Sequence, residues 1–329
     1  TQVGGDQAVL FKPAAQGLGH GHFDKLTWQF YDRGNEIVSD YGAARFLNVE
    51  AKFGGRYLPE NETYAKHTVA HNTVVVDETS HFNANVKVGN NNHPTLNYFT
   101  TNEFGTVANG SISSAYKNVE LERTLALINL PELESTITLD IFNANAKTKH
   151  QFDLPLHYKG QLIDTSFDLK ANASQLSALG SNNGYQHLWL KAQATPQNGL
   201  AKVTWLNDNG RFYTQTSLVS GDEEFLFTQI GANDPHFNLR NENGFIRRVE
   251  DQKQHTFVSI LEPHGEYNPS KEYTLEAVSR VSAANYIEQG NLLLVHLIIK
   301  NKAYLVAINK AHSKASNTFT FKNKSFTLN

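Results

Sequence analysis

Three runs of sequence decide the predicted fold: VELERTLALIN at 119–129, STITLDIFNA at 135–144 and HQFDLPLHY at 150–158. Each alternates apolar and polar side chains and is rich in β-branched or aromatic residues, as half-buried strands are. Similar runs, separated by Asn, Gly and Asp turns, continue from HLWLKAQA at 187–194 to FTFKNKSFTLN at 319–329. This pattern predicts an all-β fold, a layered antiparallel β-sandwich of several sheets. We expect one domain over residues 1–329, with a smaller C-terminal sheet over roughly 245–329.

The composition excludes several classes of function. Of the 329 residues, 40% are hydrophobic and 19% are charged, and the net charge of -3 lacks the basic surplus that nucleic-acid binding needs. The absence of cysteine excludes disulfides, thiolate metal sites and cysteine nucleophiles. The longest largely apolar run, Leu292–Ile299, is too short to span a membrane, so we expect no membrane partner. Methionine is absent, including at position 1, and we expect further residues upstream.

Potential ligands and acid–base groups are concentrated between residues 17 and 72, which read GLGHGHFDKLTWQFYDRGNEIVSDYGAARFLNVEAKFGGRYLPENETYAKHTVAHN. A His-x-His pair, His20 and His22, lies on a Gly-rich connection between two predicted strands. The pattern predicts a short helix over 43–52 and a strand over 68–77 that carries His71. If the protein has catalytic chemistry, this stretch is where we expect it.

Three residues of this stretch form a candidate metal site. Zinc binds imidazole and carboxylate groups where thiols are lacking, commonly with three protein ligands. His22, Asp40 and His71 could supply such a set from different strand ends. A lone histidine on a β face is usually an ordinary hydrogen-bonded residue, and with fourteen histidines in the chain the spacing alone also fits a chance cluster.

Tyr57 is a candidate general acid or base. It lies in a glycine-flanked loop beside Arg56 and twelve residues after Arg45. A nearby cation favours the phenolate and lowers the pKa of a tyrosine, which suits proton transfer. The alternative is that Tyr57 only packs or caps the loop, and that Arg45 is an exposed or salt-bridging residue.

The same segments resemble a known family. The run from Gly17 to Glu50, followed by GGRYLPEN at 54–61 and AHNTVVVDE at 70–78, is similar to the β-sandwich part of heparinase II/III-like polysaccharide lyases. The similarity is greatest to the oligoalginate lyases of polysaccharide lyase family seventeen. It continues through NGYQHLWLK, GANDPHFNLR and VSILEPHGEY, and so covers most of the chain.

The resemblance implies a role for each candidate residue. His22, Asp40 and His71 match the ligands of a zinc ion that is generally regarded as structural in the family. His20 matches an active-site histidine that stabilises charge or transfers a proton. Tyr57 matches a tyrosine of proton transfer, and Arg45 matches an arginine that binds the substrate carboxylate.

The resemblance also implies a reaction and a partner domain. Members of this type cleave alginate oligosaccharides exolytically by β-elimination and release unsaturated uronate monosaccharides. They carry an N-terminal α/α toroid that completes the active site, and the sequence contains no helical region of that size. We therefore expect a C-terminal portion of a lyase that is inactive alone, with the toroid in the same gene product or on a separate chain. The family further suggests a periplasmic or secreted bacterial enzyme and allows a homodimer.

Two other classes of function remain open at this point. A cupin-like metalloenzyme also uses a His-x-His pair, but it has a Glu a few residues later, where residues 25–28 here read Lys-Leu-Thr-Trp. A non-catalytic carbohydrate-binding sandwich would need neither Tyr57 nor Arg45. On a regular strand, residues two apart share a face. Separate roles for His20 and His22 therefore require an irregular backbone, or a zinc ion directly behind the cleft.

Overall fold

The computed structural model describes residues 2–4, 6–17, 20–43, 58–130, 136–310, 317–322 and 324–328. The described chain is dominated by antiparallel β-strands, and its largest hydrogen-bonded network contains 17 of them. Smaller sheets of two, three and two strands complete it. The all-β prediction is therefore confirmed.

The strands are numbered in chain order. The first nine are β1 Gln2–Gly4, β2 Gln7–Lys12, β3 Thr27–Asp32, β4 Asn35–Val38, β5 Val75–Val76, β6 Thr95–Asn102, β7 Gly105–Tyr116, β8 Val119–Asn129 and β9 Thr136–Tyr158. The next eight, which end the 17-stranded network, are β10 Gln161–Thr165, β11 Lys170–Ala171, β12 Ser177–Ala178, β13 Leu188–Ala194, β14 Gly199–Leu206, β15 Phe212–Val219, β16 Glu224–Ile230 and β17 Asn243–His264. The smaller sheets contain β18 Glu266–Asn268, β19 Tyr273–Leu275, β20 Val281–Gln289, β21 Leu292–Ile299, β22 Lys302–Asn309, β23 Asn317–Phe321 and β24 Lys324–Leu328.

Two long strands form the centre of the network. β9 has 23 residues and β17 has 22, and they pair antiparallel with each other along most of their length. Their register shifts around Gln252, where the middle of both strands is exposed. Such irregularities bend a strand. Because β9 also pairs with β4, β5 and β8, it joins the N-terminal segments to the rest of the network.

The core is built from aromatic and branched aliphatic side chains on facing strands. One buried cluster includes Trp28, Phe30, Trp205 and Phe245. Each such fully buried side chain stabilises the fold by about 1.5–3 kcal/mol. A second cluster lies around Leu121, Phe142 and Phe152, and a third lies around Tyr41, Tyr64, Val69 and Tyr185. The third cluster includes the neighbours of the candidate site residues.

The chain separates into two compact units, 1–277 and 278–329. The sequence placed the start of a smaller C-terminal sheet near residue 245. The boundary between the two units lies after residue 277, because β17 pairs with β9, β15 and β16 and therefore belongs to the first unit. The second unit contains the sheet β20–β21–β22 and the hairpin β23–β24.

Helices in the described residues are short. They comprise α1 Val86–Asn90, a π-helical turn Asn61–Ala65 and 3₁₀ turns Thr68–Ala70, His81–Ala84 and Tyr185–His187. None of them is long and apolar enough to cross a membrane. The strand predicted over 68–77 is wrong in its first part: a 3₁₀ turn occupies Thr68–Ala70, and only Val75–Val76 is a strand. The helix predicted over 43–52 lies outside the described residues except for Ala43.

Candidate functional site

The His-x-His pair lies on an irregular turn between β2 and β3. The turn packs so closely that a Cβ added to Gly21 would lie 1.2 Å from the backbone oxygen of Gln16. A side chain at this position would therefore displace the turn. His20 is exposed, whereas His22 is only partly exposed, and neither belongs to a strand. Because the turn is not a regular strand, the two imidazoles need not point to the same side. This meets the condition under which His20 and His22 can have separate roles.

His22 meets two other predicted ligands, Asp40 and His71. Asp40 follows β4, and His71 directly follows the 3₁₀ turn at Thr68–Ala70. One ligand atom from each of the three residues lies within 4.8 Å of the others. The ring centroids of His22 and His71 are 5.2 Å apart, and His71 Nδ1 lies 3.0 Å from Asp40 Oδ1.

The surroundings of His71 fix the orientation of its ring. His71 is fully buried, and its Nε2 lies 3.1 Å from the carbonyl oxygen of Ala65. A proton on Nε2 would be donated to that carbonyl, which leaves Nδ1 directed toward Asp40. Metal-binding histidines almost always donate their second ring N–H in this way. The geometry therefore suits His71 as an Nδ1 ligand.

Asn72 anchors the backbone next to His71. Its side-chain nitrogen donates to the carbonyls of Trp28 and Ser39, at 2.9 and 2.8 Å. Its side-chain oxygen accepts from the backbone N–H of His157 at 2.7 Å. One buried amide therefore ties β3, the end of β4 and β9 to the same point, and it fixes where His71 leaves the 3₁₀ turn.

The pKa values of His22 and Asp40 favour the binding of a metal ion by the cluster. Burial lowers the pKa of His22 to about 4, and the adjacent His71 adds to this effect, so His22 is neutral near pH 7. Burial alone would raise the pKa of Asp40, but the charge and hydrogen bond of His71 outweigh it and hold the pKa below its usual range. For His71 burial lowers the pKa, and the Asp40 carboxylate outweighs burial and raises it. Asp40 is therefore an ionised acceptor facing the ring of His71.

The donor set fits a zinc ion. It consists of two imidazoles and one carboxylate, which are ligands that zinc accepts in three-residue sites. The only proton that must leave on binding is the one on His71 Nδ1, because His22 is neutral and Asp40 is ionised. Among the described residues, this is the only group of three such side chains close enough to hold one metal ion.

Of the three remaining predicted site residues, His20, Arg45 and Tyr57, the structure describes only His20. His20 is on the same turn as His22 but does not belong to the three-residue cluster. Arg45 and Tyr57 lie outside the described residues, and their predicted roles stay predictions. The flanks of their segment are described, at Ala43 and at Leu58.

The loop from 231 to 242, between β16 and β17, contacts both of these flanks. Asn238 donates to the Glu60 carboxylate at 2.7 Å. The backbone N–H of Arg240 donates to the Tyr41 hydroxyl at 2.7 Å, and its guanidinium bonds the carbonyls of Tyr41 and Ala43. Sequence reasoning assigned no role to these residues, because the contacts join positions about 180–200 residues apart. The only sequence signal for these residues was the run GANDPHFNLR, which is one of the segments that carry the resemblance.

Comparison with known proteins gives matches over most of the chain. A family model described as heparinase II/III-like, C-terminal, matches residues 4–272. An exo-oligoalginate lyase of Saccharophagus degradans is 46% identical over 302 residues, which are 91% of this chain and 41% of that protein. An alginate lyase of Stenotrophomonas maltophilia is 49% identical over 275 residues, or 84% of this chain and 37% of that protein. The chain thus spans roughly two fifths of the length of these relatives.

Solved structures show the same fold. A heparan sulfate lyase of Pedobacter heparinus has a TM-score of 0.61 at 15% identity, covering 94% of this chain and 40% of that one. A heparinase III has a TM-score of 0.59 at 10% identity, covering 92% of this chain and 39% of that one. At these identities the likeness concerns the fold alone. The predicted resemblance to heparinase II/III-like proteins is confirmed by the family match.

Proposed function

Because this chain belongs to the heparinase II/III-like C-terminal family, we propose that it is the C-terminal β-sandwich part of an exolytic oligoalginate lyase. The observation that carries the proposal is its 46% identity, over 91% of its length, to a protein named exo-oligoalginate lyase. The 49% identical relative is named alginate lyase. Uronate oligosaccharides of the alginate type are therefore the proposed substrates.

The proposed reaction is a β-elimination with defined movements of protons and electrons. A base removes the proton on C5 of a uronate, the electron pair forms a C4–C5 double bond, and the C4–O bond breaks. The departing oxygen then receives a proton. The C5 proton is weakly acidic, so the reaction needs a group that neutralises the adjacent carboxylate as well as an acid and a base.

The predicted site residues match these requirements. Arg45 is proposed to bind the uronate carboxylate, and His20 to stabilise charge there or to transfer a proton. Tyr57 is proposed as the base, the acid or both. His20 is exposed on the turn that also carries His22, which supports a position where substrate has access.

His22, Asp40 and His71 are proposed to hold a structural zinc ion. Such an ion would join the turn after β2, the end of β4 and the turn before β5, and so stabilise the site. The buried Nδ1–carboxylate contact and the Ala65 carbonyl behind the ring support this assignment. The proposed catalytic steps use the side chains of the protein and none is assigned to the metal.

The rest of the proposal concerns partners and location. The relatives are more than twice as long as this chain. An N-terminal α/α toroid domain is the proposed partner that completes the active site. Without it, we expect this chain to have little or no lyase activity. We further propose a periplasmic or secreted location and a homodimeric assembly, both from the resemblance.

The alternatives are less well supported. In a cupin-like site the His-x-His pair lies on a barrel strand, whereas here it occupies a turn between strands. A purely carbohydrate-binding sandwich gives no reason for an exposed His20 on the turn that carries a candidate metal ligand. The family match favours the lyase over both.

The experiment is a lyase assay on the upstream-extended protein, meaning this chain together with its proposed N-terminal domain. Absorbance of the unsaturated uronate is followed with alginate oligosaccharides for the wild type and Tyr57→Phe. We expect the substitution to lower kcat about 100-fold or more, because it removes a proton-transfer group. Tyr267→Phe, at a half-exposed tyrosine of β18, is the matched control and should leave the rate unchanged. No activity in the wild type would refute the proposed function.

A further inference from the structure

The segment that carries the proposed zinc ligand Asp40 begins where the ends of three strands lie side by side. Val38, the last residue of β4, pairs with Tyr158 at the end of β9. Tyr158 in turn pairs with the first residue of β17. The chain therefore leaves β4 beside the point at which the loop 231–242 enters β17. The last residue of that loop is Glu242.

Glu242 is a buried carboxylate that accepts hydrogen bonds from three residues. Its side chain is 6% exposed. Its Oε1 accepts from Arg240 Nε at 2.9 Å and from Lys159 Nζ, and its Oε2 accepts from Ser39 Oγ at 3.4 Å. Taking a carboxylate out of water is costly, and a buried ion pair is weak evidence for a stabilising role. A gain in stability is therefore a weak explanation for this carboxylate.

The donors of Glu242 hold both neighbours of Asp40. Ser39 precedes Asp40, is fully buried and bonds to Glu242 directly. Tyr41 follows Asp40 and is held by Arg240, whose backbone N–H donates to the Tyr41 hydroxyl at 2.7 Å and whose Nη2 donates to the Tyr41 carbonyl. The Arg240 guanidinium also stacks 4.2 Å from the centre of the Tyr41 ring. Because Nε of the same guanidinium bonds to Glu242, one carboxylate fixes the chain on both sides of Asp40.

We propose that Glu242 is a positioning residue that fixes the Asp40 carboxylate for metal binding. The proposal rests on the proposed zinc site and adds to it a residue about 200 positions away in the sequence. Hydrogen-bonding groups behind a metal ligand orient it and raise the affinity for the metal. The side chain of aspartate is short, so a fixed main chain largely determines where its oxygens lie. Asp40 Oδ1 then reaches both the backbone N–H of Gly42, at 3.1 Å, and His71 Nδ1, at 3.0 Å.

The test is the zinc affinity of the full chain, measured by competition with a chelator. Glu242→Ala removes the shared acceptor and should weaken zinc binding about tenfold or more. Glu242→Gln keeps the shape and one acceptor oxygen but loses the charge, and it should weaken binding about threefold.

Glu223→Ala is the matched control. The Glu223 side chain is also buried, at 1% exposed, and its Oε2 accepts from Arg247 Nε at 2.7 Å. Its other ionic partner is His255, and neither partner adjoins Asp40 in the sequence. Both alanine variants should lower the melting temperature, because each leaves a cation without its carboxylate. Only Glu242→Ala should weaken zinc binding.

A spectroscopic measurement separates positioning from general destabilisation. The visible spectrum of Co²⁺ bound in place of zinc depends on the number and geometry of its ligands. Glu242→Ala should change this spectrum in the same direction as Asp40→Ala, whereas Glu223→Ala should leave it as in the wild type.

Three outcomes would count against these assignments. Wild-type zinc affinity in a folded Glu242→Ala protein would overturn the positioning role and leave the zinc site intact. If Glu242→Ala does not fold, wild-type affinity in Glu242→Gln would overturn it in the same way. An equal loss of affinity in Glu223→Ala and Glu242→Ala would also overturn it, because the loss would then follow from destabilisation alone. A wild-type chain that binds no zinc would refute the proposed zinc site itself.

Discussion

The Asp40–His71 contact is the interaction on which the candidate zinc site depends. His71 is fully buried, the Asp40 side chain is 14% exposed, and His71 Nδ1 lies 3.0 Å from Asp40 Oδ1. Asp40→Asn keeps the shape of the side chain and removes the charge. We expect it to weaken zinc binding about tenfold or more. With zinc removed, it should lower the free energy of unfolding by about 3 kcal/mol, because a buried charged partner is lost. Zinc titration and urea denaturation measure the two effects.

A surface pair provides the matched control. His150 Nδ1 lies 2.6 Å from Asp77, whose side chain is 52% exposed. Asp77→Asn should change the free energy of unfolding by no more than about 1 kcal/mol, because water screens exposed pairs. Equal effects of the two substitutions, with zinc binding retained in both, would contradict the proposed metal site.

The buried His81 makes the free energy of unfolding depend on pH. Burial, with the charge of Lys25, lowers its pKa from 6.5 to about 3, so it stays neutral in the folded protein. Below 6.5 the unfolded chain binds a proton at this residue and the folded chain does not. The stability contribution is therefore complete above pH 6.5 and is lost as the pH falls toward 3. From about pH 6 to about pH 5, this residue alone should lower the free energy of unfolding by about 1 kcal/mol.

His81→Asn isolates this effect. Asparagine can still accept the hydrogen bond that Lys25 N–H donates to His81 Nδ1, but it cannot titrate. We expect the His81→Asn protein to be less stable than the wild type at both pH values. Between these pH values its free energy of unfolding should fall less than that of the wild type, and the difference should equal the contribution given above for His81. Urea denaturation at both pH values gives the difference. An identical pH dependence in wild type and variant would show that His81 does not titrate as described.

At the scale of elements, the turn between β2 and β3 positions the proposed metal ligand His22. Gly21→Ala would put a Cβ within 1.2 Å of the Gln16 carbonyl oxygen, and a backbone atom cannot rotate away. We expect a loss of about 1–3 kcal/mol in unfolding free energy and zinc binding weakened about tenfold or more. Calorimetry of zinc binding and thermal unfolding test both.

Gly34 is the comparison for this substitution. It has a φ of 76° and open space around a Cβ, so Gly34→Ala introduces backbone strain without a collision. It should cost about 1 kcal/mol and leave zinc binding unchanged. Zinc binding of Gly21→Ala at the wild-type affinity would show that the turn does not position His22.

How far the sequence predicts these elements depends on the range of the interactions. Alternation identified the strands because it reflects burial of one face, which is a local property. The strand predicted over 68–77 failed because the side chains of Thr68 and Asn72 bond to distant backbone groups in place of a ladder. The loop 231–242 gave no local pattern for its contacts to Tyr41 and Glu60, which are formed only by the folded chain.

At the scale of the whole molecule, the candidate zinc site lies entirely within the first unit. His22, Asp40 and His71 all precede residue 277, and β9 and β17 close their network without the second unit. A chain that ends at Ala277 should therefore keep the zinc stoichiometry of the full chain. Metal analysis of the purified protein tests this. Loss of zinc in a truncated chain that keeps its β-type circular dichroism would show that the site depends on the second unit.

The resemblance identified the family and the three clustered residues, which spacing alone left open. The structure adds the reason that they meet: Asn72 ties β3, β4 and β9 together beside His71. No local pattern could have predicted that convergence. The proposed roles of Arg45 and Tyr57 rest on the resemblance.

The most direct test of the proposed lyase function is the mass of both products of a single cleavage. The upstream-extended protein is incubated with a saturated alginate trisaccharide, and the monosaccharide and disaccharide products are examined by mass spectrometry. β-Elimination makes the sugar on the reducing-end side of the broken bond unsaturated, so one of the two products should be lighter by one water molecule than its saturated counterpart. Two products of full saturated mass would mean hydrolysis and would contradict assignment of the protein as a lyase.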